Sequence, residues 1–420
     1  MTIQKSSCDA CNESIQISTR DKTGGLCMPC HQKRLKHLEE KYIEENRREL
    51  DPFDGLVDPV EILKIIHRNR EEDPLTVERD YPLSRHDLAC RLDQAQTNQL
   101  ASYLLELANS DRASEAFELA STLKRSTDQN IDPFLKLAIE DELDCPDDFL
   151  FHRAGAEVRD LIFSLIAEDP HTYLIRLSWI GDSEVQKQFS TWRKTKPSWA
   201  EELNLSPDEY SLNAGWELTE KGERRDLCFA PCFPIESPEK DSQTGEISAI
   251  INSTKRCPSC GKNLITLLKT DLKSLTFTWN GENASETLTF STCERCVLVS
   301  NFTISSKVAS GWELTEVSLI VEPSDDTEQF TRNKSLSIGD QRNCLYAASD
   351  ELDIDNYSQI GGYPNWQKGP IYPHCPKCSK RMVFFAQVEG DLLEGGPLGF
   401  FYAFICELCK RNTAVVYQTT

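Results

Sequence analysis

The sequence predicts a multidomain α+β fold in three parts: a small cysteine-bearing finger, a helical middle and a duplicated β-rich C-terminal half. Three observations predict it. Cys-x2-Cys pairs occur near the N-terminus and again, twice over, after residue 256. Apolar residues between about 57 and 205 recur at helical spacing, and after residue 260 they alternate with period two. At 420 residues the chain is also longer than one hydrophobic core ordinarily organises.

Twelve of the 17 cysteines fall into six Cys-x2-Cys pairs. Two intervening residues let a tight turn aim both thiolates at one ion, and two such pairs supply the four ligands of a tetrahedral zinc site. Three sites follow. The first is Cys8, Cys11, Cys27 and Cys30; the second Cys257, Cys260, Cys293 and Cys296; the third Cys375, Cys378, Cys406 and Cys409. The expected cofactor is Zn2+ in three structural sites, with iron as the alternative ion. The flanks of the last two sites match: CPSCGKNLITLL against CPKCSKRMVFF, and LTFSTCERC against FYAFICELC. The C-terminal half therefore reads as a duplication, each copy pinned by its own metal.

Residues 1–50 read as a treble-clef or ribbon-type zinc finger. Gly24-Gly25 makes a turn, and the second cysteine pair opens into the helical stretch HQKRLKHLEEKYIEENRREL. A helix N-terminus, with its free N–H groups, favours thiolates. Leu35, Leu38 and Tyr42 form a narrow stripe expected to pack against something. Pro52 and Gly55 mark a linker. Residues 51–205 read as an α-helical, HEAT-like domain. Ala113, Ala116, Phe117, Ala120 and Leu123 share a helical face. Asp132-Pro133 and Asp169-Pro170 are start signals, with the aspartate as N-cap. Gly181 ends one helix, and Asp182 caps the next.

Residues 206–420 form the β-rich part. Cys228 and Cys232 read as buried structural thiols. Pro238 to Glu246 reads as a polar loop, Thr276–Trp279 as a strand before an Asn280-Gly281 turn, and Pro323 to Asp340 as a loop crossing between the repeats. The last strands are Met382–Val388, Phe400–Ile405 and Thr413–Tyr417. Gly311–Glu316 repeats Gly215–Glu220 letter for letter, GWELTE. The element Gly361-Gly362-Tyr363-Pro364-Asn365-Trp366 reads as a positive-φ turn that plants Trp366 against the third site, with a ligand-binding turn as the alternative.

The run from that turn through Cys375-Pro-Lys-Cys378 to the strand ending Gln387-Val388 resembles the TYPP superfamily. That superfamily holds the bacterial YwqG-like proteins and the eukaryotic programmed-cell-death-2 proteins. The resemblance covers about residues 355–410 well and 206–320 more weakly, and it does not extend to 1–205. It implies a duplicated β-rich fold. It also implies one of two roles: escort of a basic ribosomal protein, as in the eukaryotic members, or toxin immunity, with which bacterial members are associated.

Charge bears on partners. With 68 acidic and 46 basic side chains the net charge is −22, which disfavours a general nucleic-acid binder and favours a basic protein partner. Four thiolates close each metal shell, so no catalytic residue is assigned. His31, His37, His67, His86, His152, His171 and His374 form no visible constellation. No signal-like segment opens the sequence and no apolar run approaches bilayer length, so a cytoplasmic protein is expected. The expected function is that of a non-catalytic protein-binding protein, an immunity (antitoxin) protein that sequesters a toxin domain. The alternatives are an escort of a basic ribosomal protein and a zinc-ribbon protein associated with nucleic acid or translation.

Overall fold

The structure is a computed structural model that describes residues 5–70, 73–127, 129–237, 247–257, 260–271, 287–293, 296–297, 303–307, 311–316, 334–348, 356–393, 398–409 and 412–419. The expected polar loop at 238–246, the strand at 276–279 and the turn at 280–281 lie outside these residues. The chain packs as two compact units, Met1–Leu88 and Ala89–Thr420.

The first unit opens with a hairpin, β1 (Lys5–Ser7) and β2 (Ser14–Gln16), followed by α1 (Ile17–Thr23) and α2 (Met28–Asn46). Gly24 ends α1 at φ 64, and Gly25 continues the turn at φ 93. No residue of α2 is buried. Leu35, Leu38 and Tyr42 are 50%, 54% and 58% exposed, which corrects the expectation that this stripe packs. The rest of the unit is β3 (Arg48–Leu50), α3 (Pro59–Ile66), β4 (Thr76–Glu78) and α4 (Arg85–Ala89). A parallel β3–β4 pair brackets the expected linker, where Phe53 is buried edge-on to Tyr81.

The second unit begins with α5 (Gln94–Ala108), α6 (Ala113–Ser126), α7 (Asp132–Glu140), α8 (Ala156–Leu165), α9 (Pro170–Ile180) and α10 (Ser183–Lys194). Each buries the face that its periodicity announces: Ala116, Phe117, Ala120 and Leu123 on α6, Leu174 and Leu177 on α9, Val185, Phe189 and Trp192 on α10. Asp169 and Asp182 cap α9 and α10 as expected, and Gly181 ends α9 at φ 57. Asp132 does otherwise. It is the first residue of α7, and its Oδ2 accepts the N–H of Gly155, the N-cap residue just before α8, at 2.9 Å. Tertiary proximity has turned an apparent local cap into a brace between two helices.

Thirteen strands follow: β5 (Trp216–Leu218), β6 (Arg224–Asp226), β7 (Cys232–Glu236), β8 (Ile247–Arg256), β9 (Asn263–Asp271), β10 (Thr287–Thr292), β11 (Thr303–Lys307), β12 (Gly311–Glu316), β13 (Lys334–Ile338), β14 (Gln359–Gly361), β15 (Val383–Glu389), β16 (Phe400–Ile405) and β17 (Thr413–Gln418). The expected loop from Pro323 to Asp340 is thus corrected at Lys334–Ile338, where β13 is a central strand, and its part at 323–333 lies outside the described residues. One nine-stranded antiparallel sheet runs β10-β9-β8-β13-β7-β14-β15-β16-β17. Chain order makes β7-β8-β9-β10 and β13-β14-β15-β16 the two repeats, with Cys257–Cys260 and Cys375–Cys378 before the third strand of each. The first strands are exchanged. β7 pairs with β14 of the second repeat, β13 pairs with β8 of the first, and the two meet at the centre with Ile338 opposite Ile235.

The sheet curls until its ends approach. Thr413 on β17 donates to the carbonyl of Thr289 on β10 at 2.9 Å, and Phe290 stacks on Phe385 at 4.8 Å. Leu268, Phe290, Phe385, Phe401 and Val415 fill the inside. Their neighbours Phe384, Tyr402, Phe404 and Val416 fill a second core on the outer face. Successive side chains point to opposite faces, so a strand buried on both sides needs the unbroken apolar run seen at Phe400–Ile405.

Candidate metal centres

The structure brings together all twelve expected ligands in three groups. Within each group the four sulfurs lie within 4.8 Å of one another. The geometry is local in origin. In every first pair the backbone closes the same double hydrogen bond. Cys8 N donates to Glu13 O at 2.8 Å and Asn12 N to Cys8 O at 2.9 Å. The same bonds join Cys257 with Lys262 and Gly261, and Cys375 with Lys380 and Ser379. The residue after the second cysteine turns left-handed each time: Asn12 at φ 62, Gly261 at φ 71, Ser379 at φ 58. Asn and Gly tolerate that region readily, and Ser less so.

The distances suit one ion per group. A zinc–thiolate bond of about 2.3 Å in a tetrahedron places sulfurs about 3.8 Å apart. Here Cys11–Cys27 is 3.6 Å, Cys257–Cys296 3.8 Å, Cys260–Cys293 3.5 Å and Cys378–Cys406 3.5 Å. Disulfide sulfurs would sit near 2.05 Å. The donor set therefore fits a tetrahedral, thiolate-preferring ion.

Outer partners tune the sulfurs. Burial raises the Cys8 thiol, but the backbone N–H groups of Cys27, Ala10 and Cys11 outweigh it and bring it down to about 6. Burial also raises Cys375, and there the side chain of Asn412 and the N–H groups of Cys378 and Lys377 bring it down to about 7. Asn412 Nδ2 donates to Cys375 Sγ at 3.0 Å, and Asn412 itself is buried. Other members go the opposite way. Cys30 is pushed up to about 12 by the sulfurs of Cys27 and Cys11 and then by burial. Sulfurs this crowded repel as thiolates, and a bound dication is what relieves the repulsion.

The third centre is braced by the first GWELTE copy. Glu217 on β5 pairs with Arg225 at 2.6 Å and with Arg381 at 3.1 Å, and Glu220 pairs with Lys380 at 2.8 Å. Trp216 is fully buried, stacks on Phe189 at 5.7 Å and donates to Ser178 O at 2.8 Å. The motif thus ties the helices to the metal knuckle. The second copy forms β12, and in chain order each copy precedes the exchanged strand of a repeat.

The glycine turn is as expected, with Gly361 and Gly362 at φ 70 and 68. A Cβ at Gly361 would lie 1.9 Å from Pro231 O. Trp366 stacks at 4.7 Å on Tyr402, on the strand that leads to Cys406, and meets Tyr372 edge-on. Cys232 is buried as expected, with its Sγ 3.2 Å from Gln359 Oε1, whereas Cys228 is only half-buried, packed at the edge of the outer core with its Sγ 3.4 Å from Tyr372 Oη. His31 is outside the first cysteine group and sits 3.3 Å from Arg34, and His374 is exposed. Sequence reasoning missed Asn412 and Glu217. Asn412 stands six residues after Cys406 with no ligand spacing to announce it, whereas Glu217 carried a signal in the repeated GWELTE.

No family model matches the chain, and no solved structure matches it. The chain is similar along its whole length to the uncharacterized protein YpfL of Salmonella typhimurium strain LT2, with 35% identity over 425 residues, 98% of this chain and 97% of that one. No helix among the described residues is long and apolar enough to cross a membrane.

Proposed function

The chain belongs to the same family as the Salmonella typhimurium protein YpfL, and from its closed four-thiolate centres we propose that it is a cytoplasmic, non-catalytic protein-binding protein of the toxin-immunity kind, stabilised by three Zn2+ ions. The carrying observation is the donor sets. Four cysteines in each group complete a tetrahedral shell and leave no position for a substrate, which is the arrangement of a structural ion. Each ion would contribute on the order of 10 kcal/mol of apparent folding energy at neutral pH. We read the helices as a HEAT-like array and the curled sheet as a TYPP-like platform.

The net charge of −22 supports a basic partner, a toxin domain held and neutralised on an acidic surface. The exposed stripe of Leu35, Leu38 and Tyr42 supports the same class of function, because an amphipathic helix left uncovered suits docking. The test is affinity capture of the tagged, zinc-replete protein, with mass spectrometry of what it retains and metal analysis of the eluate. Three zinc equivalents and one basic protein at 1:1 stoichiometry are expected, and a Cys378→Ser, Cys409→Ser variant should lose the partner together with the zinc of the third centre. A toxin domain supports immunity, and a ribosomal protein would move the reading to the escort role. Full retention of the partner by the variant would sink the metal-stabilised mechanism.

A further inference from the structure

The second unit contains a cationic groove that the protein-binding reading does not use. A cavity of about 710 Å³ opens between the α6–α8 region and the segment after β13. Lys124, Arg153 and Arg342 line it, together with the polar side chains of Thr127, Gln129, Asn130 and Asn343. Asp132 is the one carboxylate among its described lining residues, and its Oδ2 is committed to the N–H of Gly155. On a chain with net charge −22, three cations converging on one cavity reverse the local field.

Each cation is placed by the fold. Arg342 lies over the Tyr346 ring at 3.9 Å and donates to Asn356 O at 3.0 Å and Gln359 Oε1 at 3.1 Å. Those acceptors are uncharged, and its buried Nε has no acceptor among the described residues. Arg153 is exposed and makes no ion pair among the described residues. Its backbone is held left-handed at φ 56, with its N–H donated to Trp179 O at 3.1 Å. A non-glycine residue in that region is strained and persists where the surroundings impose it, often at a site of function. Lys124 lies in the last turn of α6.

His152 forms a wall shared with a second cavity of about 390 Å³, which holds Trp179, Arg224 and Tyr363. Its Nε2 is 3.3 Å from Tyr363 Oη, and its ring meets Tyr363 edge-on at 5.3 Å. Burial first, and then the charges of Lys124, Arg153 and Arg224, drive its pKa down to about 3. The imidazole is therefore a neutral wall within a positive field. Tyr363, which lines the second cavity, donates its N–H to the carbonyl of Cys344 in the lining of the first at 2.8 Å.

We propose that this groove binds a phosphate-bearing ligand of nucleotide size, with Lys124, Arg153 and Arg342 on the phosphates and Gln129, Asn130 and Asn343 orienting the remainder. Guanidinium forks match phosphate oxygens two at a time, and ligand cavities of this kind span about 300–1,000 Å³. The test is calorimetric titration of the full, zinc-replete chain with ADP and with inorganic pyrophosphate. ADP binding that weakens as NaCl rises is expected. Arg153→Gly and Lys124→Gln should each weaken it by about tenfold or more, the loss of one charge-assisted contact. Glycine adopts the left-handed backbone without strain, so Arg153→Gly should bind poorly while its melting temperature stays the same or rises. No heat from either probe at millimolar concentration, or unchanged affinity in both variants, would overturn the proposal.

Discussion

Among single residues, Asn412 shows how one side chain outside a ligand set controls it. Its side-chain amide donates to Cys375 Sγ at 3.0 Å, and its backbone carbonyl accepts the N–H of Cys406 at 2.9 Å, so one residue touches both halves of the third centre. Partners of this kind are worth about 10–100-fold in metal affinity. Asn412→Ala should lower affinity at the third centre by that factor and leave the first two unchanged, as read by competition with a chromogenic chelator. Release of all three ions at the same chelator concentration would assign Asn412 no special role. The ligands themselves were legible because Cys-x2-Cys spacing encodes a turn. Asn412 was not, because a buried amide carries no spacing rule.

Among elements, the exchange of β7 and β13 decides what can fold alone. The second repeat carries all four ligands of the third centre, yet β14 has only three residues and pairs on one side with β7 of the first repeat. A fragment of residues 334–420 should therefore remain unfolded in the presence of zinc, by circular dichroism and by amide dispersion in NMR spectra. A cooperatively melting, zinc-bearing fragment would show the exchanged strand to be dispensable. Most helices and the terminal strands were legible from their periodicity. β13 was not, because KSLSI is a short run beside a polar acidic stretch, and what makes it a strand is the pair of neighbours it lies between. Asp132 misled in the same manner. Its place before Pro133 has the chemistry of a cap, and its carboxylate instead serves the start of α8.

For the molecule as a whole, the acidic balance conceals a local positive field, and that field should be visible in the pH dependence of stability. His152 titrates near 6.5 when unfolded and is held at about 3 in the fold, by burial first and then by Lys124, Arg153 and Arg224. A depressed folded value means that the unfolded chain takes up the proton first. The contribution of His152 is thus fully present above about pH 6.5 and is lost as pH falls toward 3. Thermal melts of the wild type and His152→Asn between about pH 7.5 and 5.5 should show the stability difference shrinking as pH falls. A difference independent of pH would mean that the imidazole is not held neutral. Comparing two chains with the same cysteines cancels the acid sensitivity of the metal centres.

The residue order was sufficient for the three cysteine groups, the duplication, the helix faces and the glycine turn. Each is specified by neighbours within a few positions: a tight turn that aims two thiolates, a periodicity that sets one face, a backbone angle that only small residues accept. The exchange of first strands, the curl that brings β17 to β10, the brace from Glu217 to Arg381 and the convergence of Lys124, Arg153 and Arg342 join residues far apart in the chain. Strand pairing and charge convergence depend on which surfaces meet once both faces of the sheet are buried, and local spacing carries no record of that choice.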